Sequence, residues 1–164
     1  MIVAQWLAEW LDWIVTFIGE HPFLALVVVF VAAGGEALFV IGLFVPSTVV
    51  LVGAGTLVGT GHLPFWPIFV ATTLGAIAGD AISYWFGSTY GSIIRSTWPF
   101  NRYRVIIDEG EKFFARHGGK SVFLGRFIPG VKSVVPGIAG MMGMKLGHFT
   151  VVNVTSAVVW VAAH

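Results

Sequence analysis

The chain has 164 residues, of which 57% are hydrophobic and 10% are charged, and its mean hydropathy is +0.88. Soluble domains carry about 25% charged residues, so this composition excludes an ordinary soluble domain and predicts an integral membrane protein. The absence of cysteine excludes disulfides and thiol chemistry.

The net charge of +1 conceals a sharp asymmetry along the chain. Residues 1–94 contain no Lys or Arg and carry a net charge of −5, whereas the remainder carries +6. Cytoplasmic loops of membrane proteins are enriched in Lys and Arg. We therefore predict that the connection Arg95–Lys120 faces the cytoplasm and that the loop 59–64 faces outside.

Residues 1–20 are predicted to form an amphipathic helix that lies along the membrane interface. The aromatic residues from Trp6 to Phe17 recur at helical spacing on one stripe, and Trp favours the head-group zone. The alternative is that this segment is the bent start of a membrane span. Residues 21–164 then form the membrane domain.

The next segment predicts a re-entrant helical hairpin. Residues 23–45 are long enough to cross a core of about 30 Å, but Gly34-Gly35-Glu36 interrupts them. The arm Ala37–Val45 reaches only about half-way through the bilayer at about 1.5 Å per residue. The Pro46-Ser47 pair can then turn the chain, and Thr48–Val58 can return. A kinked full span is the alternative.

The middle of the chain contains four predicted segments. They are a turn-rich loop over Gly59–Pro64, a clear span over Phe65–Phe86 with Asp80 as its single charge, an interfacial loop over Ser88–Arg104, and a cytoplasmic amphipathic helix over Val105–His117 capped by Gly118-Gly119.

Lys120–Met144 repeats the pattern of the first hairpin, with its break at Pro129-Gly130. A last span is expected from Phe149, and its 16 residues up to His164 fall short of the usual ~20, so we expect the chain to be part of a longer protein. The predicted fold is all-α, with two re-entrant hairpins, each followed by a transmembrane helix, and interfacial amphipathic helices. The halves form an inverted repeat whose hairpin tips meet near the midplane.

Four ionisable residues within apolar sequence mark the candidate site: Glu36, Asp80, Arg126 and Lys132. Each costs about 2.5–3.5 kcal/mol at the bilayer centre unless it is paired or hydrated. The two cations flank the Pro129-Gly130 break, where freed backbone N–H groups can join them in binding a phosphate. The alternative is that Arg126 only neutralises Glu36 or Asp80.

The two acids have competing interpretations. Glu36 is a proton-titrating group or a partner of Arg126, or else a surface residue at a loop edge. Asp80 orients Arg126 or relays a proton, or else caps a break in the helix.

Motifs spread over residues 20–164 carry a resemblance to a known family. They are Gly35-Glu36, Pro46, Gly79-Asp80-x3-Tyr84-x2-Gly87-x3-Gly91, Phe113-x2-His117-Gly118, Arg126-Phe127-x-Pro129-Gly130, Ala139-Gly140, Phe149, Asn153 and Trp160. On these residues the chain resembles the DedA family, also called the VTT or SNARE-associated-like membrane proteins.

The resemblance implies a lipid translocase of the bacterial cytoplasmic membrane. Its substrate would be a polyprenyl-phosphate carrier such as undecaprenyl phosphate, or a phospholipid, and some members are coupled to protons. The chain departs from the family pattern in having Thr48 where a second acid is typical and Lys132 where Arg is usual. Lysine keeps the charge but lacks the bidentate geometry of arginine.

These considerations assign roles to ten residues: substrate binding to Arg126, Lys132, Gly130, Ser47 and Thr48; proton coupling or charge pairing to Glu36 and Asp80; and structural roles to Pro46, Pro129 and Tyr84. We expect no catalytic residue, metal, cofactor or nucleic-acid partner, because the sequence has no metal spacing, phosphate-cradling Gly-rich loop or nucleophile–base pair. Proton coupling and self-association stay open. The alternative functions are the membrane part of a lipid-phosphate enzyme, with a phosphatase fused beyond residue 164, and a structural membrane-homeostasis protein.

Overall fold

The computed structural model describes residues 20–38, 47–94, 104–128 and 131–163, together with residues 13, 16, 17, 96 and 102, and only the backbone of 47–49. Within these ranges the chain forms helices and turns without strands, which confirms the all-α class. The helices are α1 (Pro22–Glu36), α2 (Ser47–Gly59), α3 (Phe65–Ile94), α4 (Arg104–His117), α5 (Lys120–Gly125), α6 (Val135–Met141) and α7 (Leu146–Ala163).

Helices α3 and α7 are the two helices of the described residues that are long and apolar enough to cross a membrane. The 30 residues of α3 extend for about 45 Å, the thickness of a bilayer with its head groups. In their most apolar windows only 39% and 28% of the residues are buried. Their exposed faces carry large apolar side chains such as Trp66, Ile82 and Val151. Such faces suit lipid rather than water, so the chain is an α-helical membrane protein.

Helix α1 lies along the first half of α3, and the two helices run in the same direction. A Cβ atom on Gly75 would lie 2.3 Å from the carbonyl oxygen of Phe30, and one on Gly79 would lie 2.3 Å from that of Gly34. The contact therefore advances in the same direction on both helices, and it requires glycine in α3. The end of α1 at Glu36 consequently lies beside the middle of α3.

Most of the segment Ala37–Val45, predicted as the first arm of a re-entrant hairpin, lies outside the described residues. Helix α1 ends at Glu36, directly after two glycines, each of which lowers helix propensity by about 1 kcal/mol. The 15 residues of α1 extend for about 22 Å. Pro46 belongs to residues 39–46, which lie outside the described residues. Helix α2 begins at Ser47 and ends at Gly59, within one residue at each end of the predicted segment Thr48–Val58.

Helix α6 lies along the second half of α3, again in the same direction. A Cβ on Gly87 would lie 1.9 Å from the carbonyl oxygen of Gly137, and one on Gly91 would lie 3.0 Å from the Met141 side chain. The expected end of the span at Phe86 and the start of the interfacial loop at Ser88 are therefore wrong, while most of the residues between Ile94 and Arg104 lie outside the described part of the chain. The glycines after Phe86 form a packing surface, and α3 continues to Ile94 through a kink at Tyr90 (φ −117°, ψ 15°).

Helix α7 runs antiparallel to α3. The ring of Phe149 stacks on Tyr84 with centroids 4.3 Å apart. Further along α7, Nδ2 of Asn153 donates to the carbonyl of Ile77 over 3.2 Å. Helix α7 begins at Leu146, three residues before the predicted start at Phe149, because residues 146–148 form its first turn.

Helix α4 matches the predicted amphipathic helix to within one residue. Its apolar face is represented by Ile107, which is buried with Val134 and Ile138. Gly118 caps it with φ +58°, and its N–H donates to the carbonyl of Phe114 over 2.7 Å. Of the predicted helix over residues 1–20, only positions 13, 16, 17 and 20 are described, and they are helical.

Candidate functional site

The first ion pair of the site joins Asp80 on α3 to Arg126, which directly follows α5. Both side chains are buried. Nη2 of Arg126 also donates to Oδ1 of Asn153 over 2.8 Å, and Asn153 is itself anchored to the backbone of α3. The guanidinium is thus held between α3 and α7 by one charged and one neutral acceptor.

The second ion pair joins Glu36, the last residue of α1, to Lys132, which lies in the turn between α5 and α6. The carboxylate is buried, whereas 24% of the lysine side chain is exposed, three times the value for Arg126. Nζ of Lys132 also lies 5.4 Å from the ring centroid of Trp160, within the range of a cation–π contact. The second pair is therefore the more accessible of the two.

Both pairs lie at the mid-depth of the longest helix. Asp80 stands 15 residues after Phe65 and 14 before Ile94, about 22 Å from either end of α3, and Glu36 lies beside the same level. Each pair joins an acid from the first half of the chain to a base from the second half. Unpaired charges at this depth would be strongly destabilising, so pairing requires the two halves to meet here.

The four charged side chains line one small cavity. Its other walls come from α1, α3 and α7, and they include Ala33, Ala76 and Trp160. The cavity measures about 20 Å³, which is space for about one water molecule. A phosphate group is larger, so in this arrangement the acids hold the cations and the site is closed to a head group.

The structure brings together four of the ten predicted site residues, Glu36, Asp80, Arg126 and Lys132, and their roles stay predictions. Tyr84 lies elsewhere, where its hydroxyl donates to the carbonyl of Met144. The other five predicted residues are not placed as a site: Pro46, Pro129 and Gly130 lie outside the described residues, and the side chains of Ser47 and Thr48 are not described.

Two residues that line or support the site had no role in the sequence analysis, although both occur in the motifs quoted there. Asn153 is almost fully buried and orients Arg126, and Trp160 contacts Lys132. A polar amide within an otherwise apolar span is itself a signal of function, and it could have identified Asn153. Trp160 has no such signal, because aromatic residues are common in membrane helices.

A family model described as the VTT domain matches residues 45–164 of the chain. The chain is also similar to curated bacterial membrane proteins. Inner membrane protein YabI of Escherichia coli K12 is 30% identical over 88% of this chain and 57% of its own length. Protein DedA of the same organism is 32% identical over 88% of this chain and 67% of its own length.

An uncharacterized membrane protein of Buchnera aphidicola is 27% identical over 91% of this chain and 58% of its own length. The chain therefore spans less than two thirds of the length of several relatives that it matches. No solved structure matched the chain.

Proposed function

The chain belongs to the VTT-domain family of membrane proteins, which includes protein DedA, and from this premise we propose that it moves a lipid with a phosphate head group between the leaflets of the bacterial cytoplasmic membrane. The names of its relatives give a membrane location and no activity. The observation that carries the proposal is the pair of buried ion pairs around one cavity at the mid-depth of α3.

The proposed lipid phosphate replaces Glu36 as the partner of Lys132 and contacts the Arg126 guanidinium beside Asp80. A guanidinium and an ammonium are the side-chain groups best suited to phosphate oxygens. Because the closed cavity holds about one water, a head group can enter only when at least one ion pair opens. The Glu36–Lys132 pair is the one expected to open first, since Lys132 is the more exposed cation. The lipid thus binds the state with an open ion pair better than the closed state, and this difference in affinity is what transport requires.

The directions of the helices support the proposed inverted arrangement of two re-entrant hairpins. Helix α1 starts at the Phe65 end of α3, stops half-way, and α2 leads back to that end. Helices α5 and α6 enter and leave at the Ile94 end, and α7 then starts from there. Both hairpins are too short to cross a core of about 30 Å, and two half-helices that meet at mid-depth are typical of transporter sites.

Proton coupling is the second part of the proposal. Glu36 is the acid that a phosphate at Lys132 would displace, so we propose it as the residue that couples proton movement to lipid movement. Lipid movement would then respond to a pH gradient across the membrane.

The experiment reconstitutes the protein in vesicles of the phosphate-free glycolipid digalactosyldiacylglycerol that contain a fluorescent phosphate-bearing lipid, and it follows movement of that lipid between the leaflets. We expect Arg126→Ala to abolish movement and Lys132→Arg to preserve it, because the latter keeps the cation. Arg116→Ala, an exposed arginine on α4, is the matched control and should move lipid at the wild-type rate.

Movement at the wild-type rate in Arg126→Ala would overturn the phosphate-contact role. Release of inorganic phosphate from the lipid by the wild-type protein would instead favour an enzyme.

A further inference from the structure

A second cavity is an apolar groove that takes no part in the two ion pairs. It lies between α2 and α3, has a volume of about 280 Å³, and is thus more than ten times larger than the charged cavity. Its walls include Leu51, Ala54 and Gly55 from α2, Ile68 and Thr72 from α3, and Val161 from α7.

The groove and the charged cavity lie next to each other along α3. Thr72 lines the groove, whereas Ala76 and Asp80, one and two turns further along the same face, line the cavity. From Thr72 to Asp80 the helix rises about 12 Å. On α7 the neighbours Trp160 and Val161 line the cavity and the groove respectively. A charged compartment therefore opens beside an apolar one, as an amphiphile with an anionic head would require.

We propose that the groove holds a hydrocarbon chain of the same lipid whose phosphate contacts Arg126 and Lys132. This inference rests on the proposed function. The one polar side chain named in the groove wall, Thr72, donates its hydroxyl to the carbonyl of Ile68 over 2.8 Å, so it is satisfied within its own helix. The groove thus has apolar walls between membrane-embedded helices, and lipid hydrocarbon is the medium around it.

The head group, and not the groove alone, should decide which lipid is bound. Lipid tails are as apolar as the groove, so transfer of a tail from the bilayer into it has no hydrophobic driving force. A lipid whose phosphate is held at the cavity carries its tail to the groove at high effective concentration. The tail of a phosphate-bearing lipid should therefore occupy the groove much more often than the tail of a neutral lipid with the same acyl chains.

The chain offers a matched pair of variants for this groove. Gly55 lines it, and a Cβ atom there would meet no atom within 4 Å, so Gly55→Leu should fill the groove without a backbone clash. Gly53, two residues earlier on α2, has the same open surroundings. At about 100° per residue it points away from the groove side. Gly53→Leu is therefore the control.

The test uses two photo-crosslinking lipids with a diazirine in one acyl chain, phosphatidic acid and its diacylglycerol analogue, each in vesicles of the phosphate-free glycolipid digalactosyldiacylglycerol with the full protein. Labelled residues are mapped by mass spectrometry. We expect labelling of residues 51–59 and 65–72 by phosphatidic acid to exceed that by diacylglycerol about tenfold, which corresponds to about 1.4 kcal/mol of head-group attraction. Gly55→Leu should remove this excess, and Gly53→Leu should retain it.

Equal labelling by the two probes would mean that the groove holds bulk lipid only, and it would overturn the inference, as would an unchanged excess in Gly55→Leu. The transport assay separates this failure from failure of the proposed function. Phosphate-dependent labelling without lipid movement would support the groove and overturn transport. Lipid movement that depends on Arg126, together with equal labelling of the groove by the two probes, would support transport and overturn the groove.

Discussion

Neutralising Asp80 should destabilise the protein strongly, because it leaves the Arg126 guanidinium buried without its charged partner. Asp80→Asn keeps the shape and one acceptor oxygen, and the hydrogen bond from Arg126 to Asn153 is retained. Loss of one partner of a buried pair typically costs 3–5 kcal/mol. With two neutral acceptors left, we expect a loss of about 3 kcal/mol of unfolding free energy, the lower end of that range.

A double-mutant cycle isolates the ion pair. Arg126→Gln alone should cost a similar amount, since it leaves the Asp80 carboxylate buried without a cation. The double variant places two neutral amides that can still hydrogen-bond to each other. Its loss of unfolding free energy should be smaller than the sum of the single losses by about 2 kcal/mol, within the range found for residues in direct contact.

The assay is equilibrium unfolding in mixed micelles with increasing sodium dodecyl sulfate, followed by tryptophan fluorescence and circular dichroism. The control is Lys112→Gln, which breaks the ion pair with Glu109. That pair spans 2.8 Å, but both its side chains are more than 60% exposed. Exposed pairs add little to stability, so the control should unfold at the wild-type detergent concentration.

Two results would refute this reasoning about Asp80 and Arg126. The first is an unfolding free energy of Asp80→Asn within about 0.5 kcal/mol of wild type, the size of an ordinary surface effect. The second is additivity of the single losses, which would mean that the side chains do not interact. Lipid movement by the double variant separates the roles, since a stable double variant without Arg126 should not move a phosphate-bearing lipid.

Three further predictions concern packing and topology. Gly87→Ala should cost about 1–3 kcal/mol of unfolding free energy, because its Cβ would lie 1.9 Å from the carbonyl oxygen of Gly137. The control Gly53→Ala should cost none, since a Cβ there meets no atom within 4 Å. Equal detergent unfolding curves for the two variants would contradict the close packing. Tyr84→Phe should cost about 1 kcal/mol by losing the hydrogen bond to Met144 while keeping the Phe149 stack, and a neutral change would show that the bond adds nothing. In this cysteine-free chain, Cys at His62 should react with an impermeant maleimide from outside and Cys at Lys112 from inside, and the opposite pattern would reverse the topology.

Sequence patterns correctly predicted the helices whose limits are set by neighbouring residues in the chain. Helix α4 could be placed to within one residue, because its apolar and charged residues alternate with helical period and Gly118 ends it. The extent of α3 could not be predicted. The span was expected to end at Phe86, and the glycines that follow, Gly87 and Gly91, disfavour helix in isolation. Their actual role is to admit α6, which depends on a segment some 50 residues further along the chain.

The members of the charged site could be predicted, whereas their pairing could not. Charges are conspicuous in apolar sequence because each is costly there, and this signal identified Glu36, Asp80, Arg126 and Lys132. Which acid meets which base depends on the depth and direction of four helices, and the spacing of the residues does not contain that information. Asn153 was given no role because a neutral amide adds no charge, although its side chain accepts a hydrogen bond from the Arg126 guanidinium.

The two ion pairs differ in burial and flexibility, so the Asp80–Arg126 pair suits a fixed link between helices and the Glu36–Lys132 pair suits a link that opens. Asp80 and Arg126 are both almost fully buried, and Arg126 has a second acceptor on α7, so this pair ties α3 and α7 together. Lys132 is more exposed, has a flexible side chain, and pairs with the terminal residue of α1. On the proposed function, a phosphate that takes Lys132 releases Glu36 and removes a link between the first hairpin and the second, while the Asp80–Arg126 pair still joins the halves. Lipid binding would thus loosen one hairpin against a fixed centre, and this change gives the bound and unbound states different contacts.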